Sequence, residues 1–481
     1  MEEGPTCGRN ALPHPFLRKK GLFVSHDRTV QSVLFPELAA KPLVVKMDEE
    51  HSSSDGGALL LKGIDRALGL TESLAACLRD PRQPAKIAHT FAELVQQRIF
   101  AIALGYPDGN DARELADDPV HKLLVDRDPV HGETLASQPT LSRFENTVQR
   151  TDLYRMAEAL ADRVIERHRR RLGKRCRRIT LDFDPTDDPT HGQQEFTFFH
   201  GYYDTYCYLP LVGTIAFDGE AEQYLCAAVL RPGNSKAAKG LVAILRRLLA
   251  KLARAFPAAR MLVRLDGGFG NPEVLDFLDD AGVDYVVGLQ ATKPLKKRAR
   301  RALGTARRMS RERGETAHVF GETRYQTKST WPSPRRVVYK AEVVRLAGRE
   351  PKDNERFVVT NLRHAPKRVY AIYTDRGDPE NRIKELKNDL AMDRTSCSRF
   401  LANQFRVLLT AAAYVLMQEL RLQARHTDCA RAQVGTLRTR LLKLAAWVEV
   451  SVRRIVLHLP RRFPGREAWL RIASRLGAAP A

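Results

Sequence analysis

The feature that most constrains the fold is a change in hydrophobic periodicity near residue 178. Before it, from Gly57 to about Gly173, apolar residues recur at helical spacing. After it, apolar and polar residues alternate, which is typical of strands. Strand-like segments then occur at 178–184, 206–217, 222–232, 260–267 and 284–290, with helical segments at 236–256 and 272–281. Three neighbouring strands followed by a helix and a β-α-β unit predict an α/β sheet with helices packed on it.

The same patterns predict how the chain is divided. The predicted parts are a segment at 1–56 without assigned structure, a helical domain at 57–177, an α/β domain at 178–425 and an unassigned region at 426–481. Within the α/β domain, residues from 291 to about 355 break the rhythm of strands and helices. This interruption begins with a run of basic residues and continues with strand-like pieces, so we interpret it as a β-rich insertion.

The charge of the chain favours a partner that carries phosphates. There are 79 Lys and Arg against 57 Asp and Glu, a formal net charge of +22. Such an excess is expected of nucleic-acid-binding proteins, although a membrane surface or solubility alone could also explain it. The longest apolar stretch, 407–420, is interrupted and predicts a buried helix rather than a membrane span. No secretory signal is visible in the first twenty or so residues, so we expect a cytoplasmic protein without a membrane partner.

Two strands of the predicted sheet end in carboxylates. In 178–184, alternation places Asp182 and Asp184 on the same side, and Pro185 stops the strand directly after Asp184. An apolar strand likewise delivers Asp266, which is followed by three glycines in four positions that leave room for a ligand. Both aspartates are therefore well placed for a site at the edge of the sheet.

A third carboxylate lies in the charged segment YTDRGDPENRIKELKNDL, residues 373–390. Pro379 suits the first position of a helix, so Glu380 falls in the first helical turn. Lys387 follows on nearly the same face, roughly 10.5 Å along a regular helix. The two side chains are too far apart to pair, but both could contact one ligand that lies along the helix.

Two strand-end aspartates and a helical glutamate in a basic chain are what a two-metal site for phosphoryl transfer requires. Mg²⁺ and Mn²⁺ prefer carboxylate oxygens, and two ions roughly 3.5–4 Å apart activate the attacking oxygen and stabilise the leaving one. Arg376 and Lys387 would neutralise and orient phosphates. Each acidic residue taken alone is better explained as a turn residue or as half of a helical ion pair, but their joint occurrence favours the metal site.

The spacing of Tyr373, Arg376, Glu380 and Lys387 resembles the Y-R-E-K signature of DDE-type bacterial insertion-sequence transposases. The two aspartate segments, LDFDPTDDPTHGQQ and LDGGFGNPEVLDFL, stand before it in the order that this family has. The resemblance covers roughly residues 178–425. It implies a ribonuclease-H-like catalytic core with a β-rich insertion, preceded by an all-helical DNA-binding domain.

The resemblance also implies which residues hold the metal. Asp184, Asp266 and Glu380 match the family's three acidic ligands and would bind Mg²⁺, for which Mn²⁺ can substitute. Asp184 is preferred at the first position because a threonine follows two residues later, with Asp182 as the alternative. Tyr373, Arg376 and Lys387 are expected to contact DNA, together with Trp331.

The expected activity is metal-dependent cleavage of double-stranded DNA at the ends of an insertion sequence, followed by attack of the freed 3′ hydroxyl on target DNA. Pairing of two ends implies at least a homodimer in the assembled complex. Trp331 is a candidate for stacking on a base extruded from the duplex, with packing in a loop as the alternative. Two other functions stay open: a DNA-binding regulator on the same fold without catalysis, and a nuclease that cuts without joining.

Overall fold

The computed structural model describes residues 32–327, 330–375 and 377–479, without the side chains of 377–379. Contacts divide the chain into two units, Met1–Glu50 and His51–Ala481. In the described part of the first unit, β1 (Val33–Phe35) and β2 (Leu43–Val45) form an antiparallel hairpin.

The second unit opens with a short strand and a set of helices. These elements are β3 (Ser52–Ser53), α1 (Leu59–Leu68), α2 (Leu70–Ala75), α3 (Phe91–Leu104), α4 (Pro119–Leu124), α5 (Gln138–Thr147) and α6 (Arg150–Leu172). The helical periodicity before residue 173 therefore corresponds to helices in the structure. Buried Arg98 of α3 and Glu145 of α5 form an ion pair at 2.9 Å, which holds two of these helices together.

Strands begin at Arg178, where the periodicity changes. The elements are β4 (Arg178–Pro185), β5 (Asp188–Pro189), β6 (Phe198–His200), β7 (Thr205–Tyr208), β8 (Leu211–Phe217), β9 (Tyr224–Val229), α7 (Leu241–Ala255), β10 (Arg260–Leu265), α8 (Pro272–Asp280) and β11 (Asp284–Leu289). The single strand predicted at 206–217 is two strands in different sheets. Pro210 lies at the break, because it has no N–H to donate to a ladder.

The predicted insertion differs from a purely β-rich segment. Its basic run forms a helix, α9 (Lys293–Arg313), which is followed by three long strands, β12 (Ala317–Tyr325), β13 (Arg335–Val344) and β14 (Lys352–Thr360). The helix buries Leu295, Ala299, Leu303 and Ala306, which recur at intervals of three and four residues. The basic side chains occupy the rest of its surface, so the run of charge is one side of an amphipathic helix.

The strands of the predicted core and of the insertion belong to one sheet of eight strands. Their order is β12-β13-β14-β11-β10-β4-β8-β9. Only β4–β10 and β10–β11 pair in parallel, and the other neighbours are antiparallel. The chain is thus an α/β protein with a large mixed sheet, and the insertion extends that sheet at one side.

The remaining elements follow the sheet along the chain. They are α10 (Pro366–Thr374), α11 (Gly377–Lys384), a π-helical turn (Glu385–Asp389), α12 (Phe400–Gln423), α13 (Val434–Leu437), β15 (Ala446–Val450), β16 (Ile455–His458) and α14 (Arg466–Arg475). By length and composition α12 could cross a membrane, but 78% of its most apolar window is buried inside the protein. It contacts α3, α6 and β9, so it is the core helix predicted at 407–420.

Helices cover both faces of the sheet. On β10 and β11, neighbouring residues belong to different apolar clusters, because successive side chains point to opposite faces. Leu262 and Val286 pack with Ile372 of α10, whereas Val263 and Val287 belong to the large core shared with α6, α7 and α12. The same alternation places the even-numbered residues at the end of β4, including Asp182 and Asp184, on the α10 face.

A buried polar cluster joins the beginning of the second unit to its end. Asp55 is fully buried and forms ion pairs with Lys443 at 2.7 Å and with His121 at 3.0 Å, and it accepts a hydrogen bond from the Tyr106 hydroxyl at 2.9 Å. Burial opposes ionisation of Asp55, but His121 and Lys443 together hold its pKa below the usual value. Next to this cluster, β3 pairs with β15.

Candidate active site

Asp184 and Asp266 lie at the ends of neighbouring parallel strands. β4 and β10 pair with Phe183 beside Leu265, so the next residue on each strand is an aspartate. The carboxyl ends of parallel strands meet at one edge of a sheet, which is where sites of α/β proteins form. Both aspartates are partly exposed at this edge. The structure therefore brings together two of the three predicted acidic residues.

The glycine-rich turn after β10 keeps Asp266 accessible. Asp266 caps a short 3₁₀ turn, Gly267–Phe269, and its Oδ1 accepts a hydrogen bond from the Gly268 backbone N–H at 2.9 Å. A Cβ at Gly268 would lie 3.2 Å from that oxygen and 3.0 Å from the Ala237 Cβ. A side chain at this position would therefore crowd the carboxylate.

Asp182, the alternative first ligand, is committed to an ion pair inside the sheet. Its side chain is 1% exposed, and its two oxygens accept hydrogen bonds from Arg264 Nε at 2.8 Å and Nη2 at 2.7 Å. The Gln223 amide donates a further bond at 3.2 Å. A buried carboxylate in a bidentate pair with arginine holds the two strands together. Of the two aspartates on β4, Asp184 is the one that lies at the sheet edge.

Tyr373 of α10 lies against the turn that holds Asp266. A Cβ built on Gly288 of β11 would meet the Tyr373 hydroxyl at 2.8 Å, the Gly267 backbone nitrogen at 2.7 Å and the Asp266 carbonyl carbon at 3.0 Å. All three groups thus converge on the space that Gly288 leaves open. The structure places Tyr373 beside the second aspartate.

Glu380 lies on α11, a helix that contacts β4. It is exposed to solvent. The structure therefore places the third predicted acidic residue on an element next to the strand that carries Asp184. Within the described ranges, no group of three or more His, Cys, Asp and Glu side chains is close enough to hold a metal ion.

The helix that carries Glu380 does not continue as a regular α-helix. At Glu385–Asp389 it becomes a π-helical turn with i→i+5 hydrogen bonds. The sequence predicts Glu380 and Lys387 on one regular α-helix, so their predicted separation along the axis does not apply here. Lys387 lies in this turn and donates to Asp187 Oδ1 at 3.0 Å and to the Asp187 carbonyl at 3.1 Å. Its ammonium group is thereby held close to the end of β4.

A buried ionic network fixes the π-helical turn to α12. Glu385 is 3% exposed, forms ion pairs with Arg421 and Arg382, and accepts a hydrogen bond from the Tyr414 hydroxyl at 2.6 Å. Glu222 pairs with the same two arginines, at 2.8 Å and 3.0 Å. Burial and the neighbouring Glu385 carboxylate raise the pKa of Tyr414 well above its usual range, so it remains a donor. No sequence spacing singled out these residues.

Asp188 is a fully buried carboxyl group close to Lys387. Thr395 Oγ1 lies 3.0 Å from its Oδ1 and 2.9 Å from its Oδ2, within hydrogen-bonding distance of both. Burial raises the pKa of Asp188 to about 7, Asp393 and Asp187 add to the shift, and Thr395 and Lys387 oppose it. Its charge therefore changes near neutral pH. In the sequence, the one feature that draws attention to Asp188 is its position in the aspartate-rich segment after Asp184.

Of the other two predicted DNA-contacting residues, only Trp331 can be located, and it is not part of this edge. Arg376 lies outside the described residues. Trp331 is 6% exposed, packs edge-on against Tyr325 at 5.8 Å, and lies beneath the Arg335 guanidinium at 5.2 Å. Its indole is covered as in the loop-packing alternative, so in this structure no face of the ring is open to an extruded base.

Comparison with known families gives a match that covers most of the chain. Residues 35–481 match the family described as transposase DDE domain, group 1. The match includes the helical part, the mixed sheet and all three predicted acidic residues. Comparison with curated protein sequences gave no match.

Proposed function

Because this chain belongs to the DDE transposase family, we propose that it cuts DNA at the ends of an insertion sequence and joins the freed 3′ hydroxyl to target DNA. The observation that carries this proposal is the position of Asp184 and Asp266 at adjoining ends of two parallel strands. A reaction at phosphorus needs closely spaced carboxylates in a basic protein, and this edge of the sheet offers them.

DDE transposases generally use divalent metal ions, and Asp184, Asp266 and Glu380 would hold them in this chain. The three donors are carboxylates, which suit Mg²⁺, with Mn²⁺ as a substitute. When bound, the ions would activate the attacking oxygen and stabilise the leaving oxygen at phosphorus. The fit is supported by the pair of strand-end aspartates and by the glycines that leave Asp266 uncovered.

The other residues of the edge would orient DNA. Lys387 would bind a phosphate oxygen as a point charge, and Asp187 holds its ammonium group in place when no DNA is bound. Tyr373 would donate a hydrogen bond to the DNA backbone beside Asp266. Arg376, two positions beyond the end of α10, completes the set that the family signature implies.

The remaining parts of the chain have proposed roles as well. Residues 178–425 would form a ribonuclease-H-like catalytic core, and the helices of 57–177 would bind the element ends. The net charge of +22 suits double-stranded DNA as the partner. Two ends must be held together for transposition, so the assembled complex contains at least two copies of the chain, and the reaction takes place in the cytoplasm.

The experiment compares cleavage by the parent chain with cleavage by Asp266→Asn on a duplex that carries the ends flanking this reading frame. Asparagine keeps the oxygen that accepts the Gly268 hydrogen bond, so the turn stays intact while the charge is lost. Asp280→Asn, an exposed position at the end of α8, is the matched control. The parent and the control should cut with Mg²⁺ or Mn²⁺, and Asp266→Asn should bind the duplex without cutting it.

The other outcomes separate the competing functions. If Asp266→Asn cuts at the parent's rate, the carboxylate site is not where the reaction occurs. If the parent binds the ends but never cuts, with either metal, a DNA-binding regulator is the better assignment. If it cuts but yields no joined product with target DNA, it is a nuclease.

A further inference from the structure

A basic site lies at the opposite edge of the sheet from Asp184 and Asp266. A cavity of about 610 Å³ opens where β4, β10 and β11 begin. Its charged lining comprises Arg177, Arg178, Arg260, Arg363, His364 and Asp284. With four arginines against one carboxylate, the cavity is strongly cationic.

Part of this charge is not neutralised within the protein. Arg260 pairs with Asp284 at 2.9 Å, and the Arg178 guanidinium lies over Gly219. Arg177 and Arg363 are exposed, and in the part of the chain that the structure describes neither side chain forms an ion pair. Two guanidinium groups on the rim are therefore available to an anion.

The loop that carries Arg363 is held rigidly. The Asn361 side chain accepts a hydrogen bond from the Tyr285 N–H and donates one to the Val283 carbonyl, each at 2.9 Å. Arg336 donates to the Leu362 carbonyl and, at 2.8 Å, to the His364 carbonyl. Residues on both sides of Arg363 are thus fixed to the sheet, so its position is set before any ligand binds.

The cavity is separate from the proposed active site. Both β4 and β10 begin at the cavity and end at the aspartates, and six residues of extended strand span roughly 20 Å. A phosphate in the cavity therefore cannot be the one that reacts at Asp184. The lining contains no Phe, Tyr or Trp, so it offers no aromatic surface for stacking of unpaired bases.

We propose that this cavity binds the backbone of double-stranded DNA at a point away from the phosphate that reacts. The inference rests on the proposed function, because it requires that the chain bind DNA. Arg363 lies on a rigid loop, and arginine forks suit backbone phosphates and read no sequence. The contact would hold flanking or target DNA at the edge where these strands begin, while the aspartate edge acts on the element end.

The test measures binding of a duplex of unrelated sequence by the double variant Arg177→Ala/Arg363→Ala across a salt titration. Loss of two phosphate contacts should weaken binding on the order of tenfold and reduce the slope of log K against log salt by about 2. Arg453→Ala/Arg454→Ala removes the same charge from an exposed turn between β15 and β16 that does not line the cavity. This control should bind like the parent.

Each other outcome overturns the inference. Equal losses in both double variants would mean that only net charge matters, and unchanged binding by the cavity variant would mean that the cavity does not touch DNA. Competition by inorganic phosphate beyond that of chloride at equal ionic strength would make it a small-anion site. A parent that fails to bind any duplex would overturn the proposed function as well. If the parent binds and cuts DNA but the cavity variant binds like the parent, only the inference about the cavity is wrong.

Discussion

Arg264 and Asp182 are register partners on adjacent parallel strands and form a bidentate ion pair inside the sheet. Asp182 lies two residues before Asp184 on one strand, and Arg264 lies two residues before Asp266 on the other. The ion pair locks the two strands in the register that brings Asp184 and Asp266 together. The buried ion pair is therefore a positioning device for the proposed site rather than part of it.

This arrangement predicts opposite effects for two neighbouring substitutions. Asp184→Asn should lower cleavage roughly a thousandfold with little loss of thermal stability, because the residue is partly exposed. Asp182→Asn should lower the free energy of unfolding by about 3–5 kcal/mol, because it leaves the Arg264 cation buried without its partner. Denaturant unfolding and cleavage assays on both variants check the assignment. A stable but inactive Asp182→Asn protein would transfer the role of first ligand to Asp182.

The space at Gly288 predicts a clash. Gly288→Ala places a methyl group within 3.0 Å of the Gly267 nitrogen, the Tyr373 hydroxyl and the Asp266 carbonyl carbon. Unfolding should become easier by about 1–3 kcal/mol, and cleavage should fall because Tyr373 and Asp266 must move. Gly304→Ala is the control. Gly304 is an exposed residue of α9, and a Cβ there would meet nothing within 4 Å. It should stabilise the protein by about 0.5–1 kcal/mol.

The raised pKa of Asp188 predicts how stability depends on pH. The unfolded chain ionises this group near pH 3.8, whereas the folded chain keeps the proton up to about 7. Between those values the folded state binds more protons, so the group's contribution to stability falls as pH rises, by up to about 1.4 kcal/mol per unit. Asp188→Asn should remove this dependence, measured as the parent-minus-variant difference in unfolding free energy.

Thr395 supplies an internal check on that result. Its hydroxyl lowers the pKa of Asp188, so Thr395→Val should raise that pKa further and extend the window of falling stability to higher pH. A parent and an Asp188→Asn protein with the same pH profile would show that Asp188 does not titrate in this range.

The network around Glu385 predicts that the π-helical turn depends on buried charge. Glu385→Gln leaves Arg421 and Arg382 without one of their partners, so the free energy of unfolding should fall by about 3–5 kcal/mol. Cleavage should fall as well under conditions where the variant is folded, because the turn carries Lys387 and directly follows the helix that carries Glu380. Glu467→Gln breaks the exposed pair with Arg471 and should cost less than about 1 kcal/mol.

Local patterns predicted the two strands that carry the aspartates because short-range features define them. Alternation and Pro185 predicted a strand at 178–184, and the structure has β4 at Arg178–Pro185. The apolar run before Asp266 became β10. Those patterns do not predict which strands pair. The pairing of Phe183 with Leu265 and the contact of Tyr373 with the turn after β10 both join distant parts of the chain.

Two other features show different limits of the sequence. The helix α9 was missed although its buried residues recur every three or four positions, because the basic side chains between them dominated the interpretation. The π-helical turn at Glu385–Asp389 has no comparable local pattern. It depends on Arg421 and Tyr414 of α12, which contact Glu385, and on Glu222, which pairs with Arg421.

The ion pair between Asp55 and Lys443 has a consequence for the timing of synthesis. A ribosome that adds roughly 5–20 residues per second exposes Asp55 roughly 20–80 s before its partner exists. During that interval the buried carboxylate lacks Lys443, and β3 lacks β15, so the helices that follow Asp55 cannot close their core. Chains stalled just before residue 443 should be cut by protease within those helices, whereas chains released after β16 should resist. A nascent copy of this protein is therefore expected to expose the apolar faces of these helices until the last strands have been synthesised.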